Sequence, residues 1–221
     1  MLWEVEITPL AGNPDLDGRR VAGEARDRGI AQDLNVQAVR GYLVQGDIDR
    51  TQIDQLAATL LADLVVERVR VAPVGDELFC EPPEGCQRAV YVLRKPGVMD
   101  PVAQSAEGAI RDQGLDVEAV RTYRKYWFGS LADDAIDRLS AKVLANDSIE
   151  QVVVGKLALD RIDLGSPYTF ALQRVPIREL NDEQLETLSK TGQLYLTLTE
   201  MQTIQAHFRS LDRDPTDIEL E

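Results

Sequence analysis

The densest run of side chains suited to recognition is Tyr123-Arg124-Lys125-Tyr126-Trp127-Phe128. Trp, Tyr and Arg dominate the energetics of protein interfaces. Two adjacent cations also stand out in a chain of formal net charge −14 and pI about 4.5. The same run suits a strand with one buried face and long side chains on the other. Arg124, Lys125, Tyr126 and Trp127 are therefore candidates for docking a partner. Catalytic constellations are missing. No Walker loop, G-x-G-x-x-G or G-x-S-x-G is present, so phosphate cradling and serine nucleophiles have no seat. Carboxylate pairs such as Asp133-Asp134 read as solvated faces or helix starts. The one histidine, His207, sits beside Phe208 near the end of an amphipathic helix, where it suits the helix dipole better than general-base work. Cys80 and Cys86 flank Glu81-Pro82-Pro83-Glu84-Gly85. With no export signal they are expected as reduced thiols. Two cysteines without a nearby histidine make neither a zinc site nor a cysteine-protease centre.

Charge narrows the partners. A strongly acidic chain repels phosphate backbones and anionic membrane surfaces, so neither nucleic acid nor membrane is expected. The start, Met1-Leu2-Trp3-Glu4-Val5-Glu6-Ile7, has no basic region followed by a long apolar run. A cytoplasmic location is expected.

The elements that must position these residues occur twice. Glu24-Ala25-Arg26-Asp27-Arg28-Gly29-Ile30 answers to Ala109-Ile110-Arg111-Asp112-Gln113-Gly114-Leu115. Val36-Gln37-Ala38-Val39-Arg40-Gly41-Tyr42 answers to Val117-Glu118-Ala119-Val120-Arg121-Thr122-Tyr123. Leu60-Leu61-Ala62-Asp63 answers to Val143-Leu144-Ala145-Asn146, and Ile53-Asp54-Gln55-Leu56 to Ile136-Asp137-Arg138-Leu139. The common order at offsets of 85, 81, 83 and 83 residues marks an internal duplication.

Each copy reads as strand, helix, strand, helix, strand. In the first, strands are expected over 2–8, 37–45 and 65–71, and helices over 18–28 and 50–62. In the second, 89–93, 117–123 and 149–154 are strands. Asp100-Pro101 opens one helix as N-cap and first-turn proline, Ser130 offers the cap of the next, and Gly114 suits a C-cap. The fold class is therefore α+β, with two small units packed as a pseudo-dimer, since each alone is short for a stable core. The first unit spans 1–75, a turn-rich connection 76–88, the second unit 89–157, and a mainly helical segment 158–221. A strand is expected over 168–175, a helix capped by Asn181, and another over 199–211. Asp214-Pro215 opens a helix with little chain left to form it, which suggests a truncated sequence.

Lys95-Pro96-Gly97-Val98-Met99-Asp100-Pro101 resembles the K-P-G-V-L-D-P signature of the small PurS subunit of formylglycinamidine ribonucleotide synthetase. Val120-Arg121 with Lys125-Tyr126 resembles that family's V-R-x-G-K-Y. Lys142-Val143-Leu144-Ala145-Asn146 with Ile149-Glu150 resembles its K-L-L-A-N-x-x-I-E. The first copy has Pro9-Leu10-Ala11-Gly12-Asn13-Pro14 in place of the signature but keeps Val39-Arg40 and Leu61-Ala62-Asp63 with Val66-Glu67. Leu198-Thr199-Glu200-Met201 and Arg213-Asp214-Pro215-Thr216-Asp217-Ile218-Glu219-Leu220 resemble the linker of the large synthetase subunit.

The resemblance implies two PurS-like, ferredoxin-like layered units and the start of the linker that leads to a synthetase domain. The complete enzyme uses ATP, magnesium and glutamine-derived ammonia to convert formylglycinamide ribonucleotide to the amidine. Its implied partners are a glutaminase subunit and the synthetase domain, which the PurS part holds together for ammonia transfer without chemistry of its own. Lys95, Pro96, Gly97, Asp100 and Pro101 form the signature turn. No catalytic, cofactor-binding or metal residue is expected in this chain. The alternative is a small-molecule-sensing pair of ferredoxin-like domains, with ligands at the glycine turns around Gly12 and Gly97.

Overall fold

The computed structural model describes residues 1–162 and 172–220. It divides into two compact units, Met1–Ser166 and Pro167–Glu221. Both copies fall in the first unit.

The first unit is a six-stranded antiparallel sheet of order β3-β1-β2-β5-β4-β6, built from β1 (Leu2–Pro9), β2 (Val36–Asp47), β3 (Glu67–Pro73), β4 (Arg88–Arg94), β5 (Asp116–Phe128) and β6 (Glu150–Val154). Each copy supplies three neighbouring strands, and β2 pairs with β5 along nearly their whole length to join them. β5 runs five residues beyond the expected end at 123, which carries the Tyr123–Phe128 run into the seam.

Pairing registers show which positions correspond. Ile7 pairs with Arg40 on one side and Val69 on the other, and Val92 pairs likewise with Arg124 and Val152. Arg40 and Arg124 therefore hold the same place in their halves, and they also face each other across the β2–β5 seam. A local two-fold axis passes through that pair. This overturns the sequence pairing of 36–42 with 117–123: Arg40 corresponds to Arg124, three residues past Arg121. An odd slip moves a side chain to the other face of a sheet. Arg121 accordingly lies with Leu43 and Ile162, away from Arg40.

The helices are α1 (Leu16–Asp27), α2 (Arg50–Leu56), α3 (Pro101–Asp112) and α4 (Asp133–Leu139). Both α2 and α4 continue in a π-helical turn, at Ala57–Leu61 and Ser140–Leu144. Asp15 caps α1 and Asp100 caps α3 by accepting a backbone N–H three residues on. Ala132, which has no capping side chain, stands at the start of α4, so the expected Ser130 cap is not formed. Gly12 and Gly97 both take positive φ, 97° and 81°, so the drifted first-copy turn keeps the backbone form of the signature turn.

Alternation along each strand sends Trp3, Val5, Ile7 and Val120 to one core with Ile53 and Leu56 of α2 and Ala103 and Ile110 of α3. A second core on the same face holds Val90, Val92, Tyr126 and Phe128 with Val21 and Ala25 of α1 and Ile136 and Leu139 of α4. Each core thus takes the first helix of one copy and the second helix of the other, so neither copy closes a core alone. The opposite face is covered by connecting chain: Cys86, Leu157 and Ile162 pack on Leu43, Tyr91, Tyr123 and Trp127. Cys80 is an exposed free thiol and Cys86 a buried one.

The second unit packs α5 (Asp182–Thr191) against α6 (Leu198–Ser210) through Leu185, Met201 and Phe208, with Ile177 at the centre. Asn181 and Thr197 form capping boxes. One short turn of helix, α7 (Asp217–Leu220), follows Asp214-Pro215. Of the strand expected over 168–175, residues 168–171 lie outside the described residues, and in 172–175 Arg174 makes only an isolated bridge to Thr216.

Candidate functional site

The docking run is not a surface. Lys125, Tyr126 and Trp127 are all buried, Lys125 completely, and only Arg124 of the four stays open to solvent. The reason is the seam: β5 is an inner strand, covered by α1 and α4 on one face and by the 74–87 connection on the other. Lys125, Tyr126 and Trp127 are corrected here from partner-docking candidates to interior residues.

Lys125 organises a polar cluster under that connection. β1 alternates Glu4 and Glu6 opposite to Trp3, Val5 and Ile7, a pattern that reads as a strand with one wet face. Both glutamates are buried. Lys125 Nζ donates to Glu6 Oε1 at 2.6 Å and to the Phe79 carbonyl at 2.7 Å. It also lies over the rings of Tyr91 and Trp127, 4.8 and 4.7 Å from their centroids. Arg70 donates to the other Glu6 oxygen at 2.5 Å. Glu4 Oε1 accepts from Tyr123 Oη at 3.0 Å and Tyr91 Oη at 3.2 Å, while Glu4 Oε2 has no partner. Burial, helped by the Glu6 carboxylate, pushes the Glu4 carboxyl up to about 7 against the opposing pull of Lys125 and the two phenols. Burial and the glutamates hold both tyrosines well above their ordinary value, as neutral donors. Gly41 makes the cluster possible: a Cβ there would run into Tyr123 Cζ, so the phenol crosses the seam over a bare backbone.

The signature turn is structural. Asp100 is buried and spans two elements: Oδ1 accepts from Ala103 N, and Oδ2 accepts from Thr122 N at 2.9 Å and Thr122 Oγ1 at 2.8 Å. Those bonds hold its carboxyl below the usual range in spite of burial. Asp15 makes the equivalent tie to Ala38 N at 2.7 Å. Pro101 occupies the first turn of α3, Gly97 supplies the positive φ, Pro96 is exposed, and Lys95 Nζ donates to the Asp147 carbonyl. The turn thus welds a helix start to the central sheet.

One open polar feature is a groove on the helix side of the seam. Two adjoining cavities, about 380 and 210 Å³, share Arg40 and Arg124. Arg40 pairs with Glu67 at 2.7 Å and Arg124 with Glu150 at 2.7 Å, whereas Arg94 comes no nearer than 3.9 Å to Glu150. Arg40 and Arg94 were not singled out from the sequence. The signal was present in Val39-Arg40 and in the Glu67/Glu150 correspondence, and was lost by pairing Arg40 with Arg121.

Among the described residues, no group of three or more His, Cys, Asp or Glu side chains is placed to hold a metal ion. No helix among them is long and apolar enough to cross a membrane.

Residues 87–156 match the PurS family, described as phosphoribosylformylglycinamidine (FGAM) synthase. Residues 185–221 match the formylglycinamide ribonucleotide amidotransferase linker domain. The first match covers β4 to β6 with α3 and α4, and the second covers most of α5 together with α6 and α7.

Proposed function

Because this chain carries the PurS region and the linker region of FGAM synthase, as the N-terminal region of its large subunit does, we propose that it is the non-catalytic assembly module of that enzyme of purine biosynthesis. It holds the synthetase domain and the glutaminase partner in register so that ammonia passes between them. The observation that carries this reading is the order of the two matched regions in one polypeptide. The PurS region is already paired with a second three-stranded half, so a rigid two-fold platform is built before any partner arrives. The linker then ties that platform to the synthetase part, where ATP and magnesium belong.

The test is association measured by sedimentation, with activity measured beside it. The chain is expected to bind the glutaminase part and to hydrolyse neither ATP nor glutamine. No association with either the glutaminase or the synthetase part overturns the reading. So does ATP or glutamine hydrolysis by this chain alone.

A further inference from the structure

We propose that a cavity over β4, on the face of the sheet covered by the 74–87 connection, is a binding site for a small organic monoanion, a carboxylate on an apolar body. The inference does not depend on the assembly reading.

The cavity has a volume of about 300 Å³. Its floor is one row across the sheet. Trp127 of β5 pairs with Ala89 of β4, and the Ala89 carbonyl accepts from Gly155 N just past β6. Phe79 of the connection and Val154 complete the apolar wall. The two-fold axis explains why this row is hollow. The registers that match Arg40 to Arg124 also match Glu4 to Ala89, Leu43 to Trp127 and Ala72 to Gly155. Where the first half carries a glutamate side chain, the second carries a methyl group. The first half thus supplies its own buried carboxyl at this place, and the second half has room for one from outside.

The polar groups of the cavity ask for an acceptor and one negative charge. Trp127 is only 3% exposed, and its Nε1–H has no acceptor. A buried donor without a partner is costly, and a ligand oxygen would satisfy it. Trp127 also borders the cavity beside the Gly12 turn, but Asp15 and Glu81 line that one. Among the described residues, no carboxylate lines the cavity at Ala89, and its cations are Arg88 and Lys156. Arg88 is already paired with Asp133, whereas Lys156 is in no ion pair among the described residues. One cation is therefore left for a ligand, which sets the charge at one. Apolar walls with a few convergent polar groups are the make-up of a small-molecule site.

The experiment is titration of benzoate into the whole chain, read by the indole N–H resonances of the two tryptophans, which Trp3→Phe assigns. Trp3 already donates to the Ile48 carbonyl and serves as the internal control. Benzoate is expected to shift the Trp127 resonance saturably and to leave that of Trp3 in place. It should also slow alkylation by iodoacetamide of Cys80, the exposed thiol that lines the cavity, Cys86 being buried. Lys156→Gln is expected to weaken binding about threefold to fivefold, and benzamide, the same shape without the charge, to bind weaker than benzoate by a similar factor. Acetate, the charge without the ring, should bind at least about tenfold more weakly. Ala89→Glu copies the first half into the second: it should shift the Trp127 resonance by itself and abolish benzoate binding. Where that variant fails to fold, Lys156→Gln decides. No saturable shift of Trp127 overturns the site. So does a shift without protection of Cys80, which would put the ligand in the cavity by the Gly12 turn. Unchanged affinity in Lys156→Gln, or benzamide binding as well as benzoate, overturns the anion assignment, and acetate binding as well as benzoate overturns the apolar body.

Discussion

Glu4→Gln isolates the buried carboxyl. Glu4 rises from 4.5 to about 7 on folding, so the folded protein binds the proton more tightly than the unfolded chain does. Stability contributed by that proton is complete below the unfolded value and is lost as pH rises through the folded one. Each tenfold gain in proton affinity is worth about 1.4 kcal/mol, so the full loss is about 3 kcal/mol, of which about 2 kcal/mol falls between about pH 5.5 and pH 8.5. Glutamine keeps an acceptor for the Tyr91 and Tyr123 hydroxyls but cannot ionise. Its amide meets the place where Glu4 Oε2 has no partner, a pH-independent cost that cancels in the comparison. Urea unfolding followed by tryptophan fluorescence reads this unit specifically, because both tryptophans, Trp3 and Trp127, are buried in it. The variant is expected to gain about 2 kcal/mol on wild type between about pH 5.5 and pH 8.5. Parallel stability profiles across that range would refute the buried-carboxylate account.

Two further substitutions probe the same cluster. Lys125→Met removes the cation bonded to Glu6 and leaves that buried carboxylate with Arg70 alone. The expected loss is about 3–5 kcal/mol in urea unfolding, and a loss under about 1 kcal/mol would show that Arg70 suffices. Gly41→Ala drives a Cβ into the Tyr123 ring and is expected to cost about 1–3 kcal/mol. Combining it with Tyr123→Phe should recover little, since the clash is with the ring. Full recovery would locate the penalty in the hydroxyl bond to Glu4 instead.

The three-strand, two-helix order of each copy was legible because its signals are local. Apolar alternation marks Leu2 to Ile7, Asp100-Pro101 marks a helix start, and Gly114 marks its end. What the sequence concealed was non-local. A strand reading Trp3-Glu4-Val5-Glu6-Ile7 carries the pattern of a half-exposed surface, and nothing in it reveals that residues 74–87 fold over the polar side. Tyr123 to Phe128 was readable as strand or surface. Only its place at the seam, set by pairing with 36–41 of the other copy, decides for the interior. The arginine groove failed for a related reason: identity placed Arg40 against Arg121, while register places it against Arg124, and only register knows which face a side chain takes.

The cluster also bears on why first pairs with second. At the positions of Glu4, Glu6, Val39 and Gly41, the second copy has Ala89, Tyr91, Tyr123 and Lys125, by the same registers that match Arg40 to Arg124. Two second copies joined at β5 would bury Lys125 opposite a tyrosine, with no carboxylate. Two first copies would bury Glu4 without either tyrosine and Glu6 without the lysine. A buried charge stripped of its partner costs about 3–5 kcal/mol, and each like-with-like dimer has two such sites by symmetry. The exchanged helices add nothing to this discrimination, because either homodimer could exchange them equally. Residues 1–87 and 88–162 produced separately are therefore expected to remain poorly folded and, on mixing, to give a one-to-one complex with the dispersed amide spectrum of the intact unit. Introducing Lys125→Gly into the second piece removes its unpaired cation in the homodimer and should permit self-pairing. A wild-type second piece that forms a well-folded homodimer on its own would show that apolar seam packing, and not the Glu6–Lys125 cluster, selects the partner.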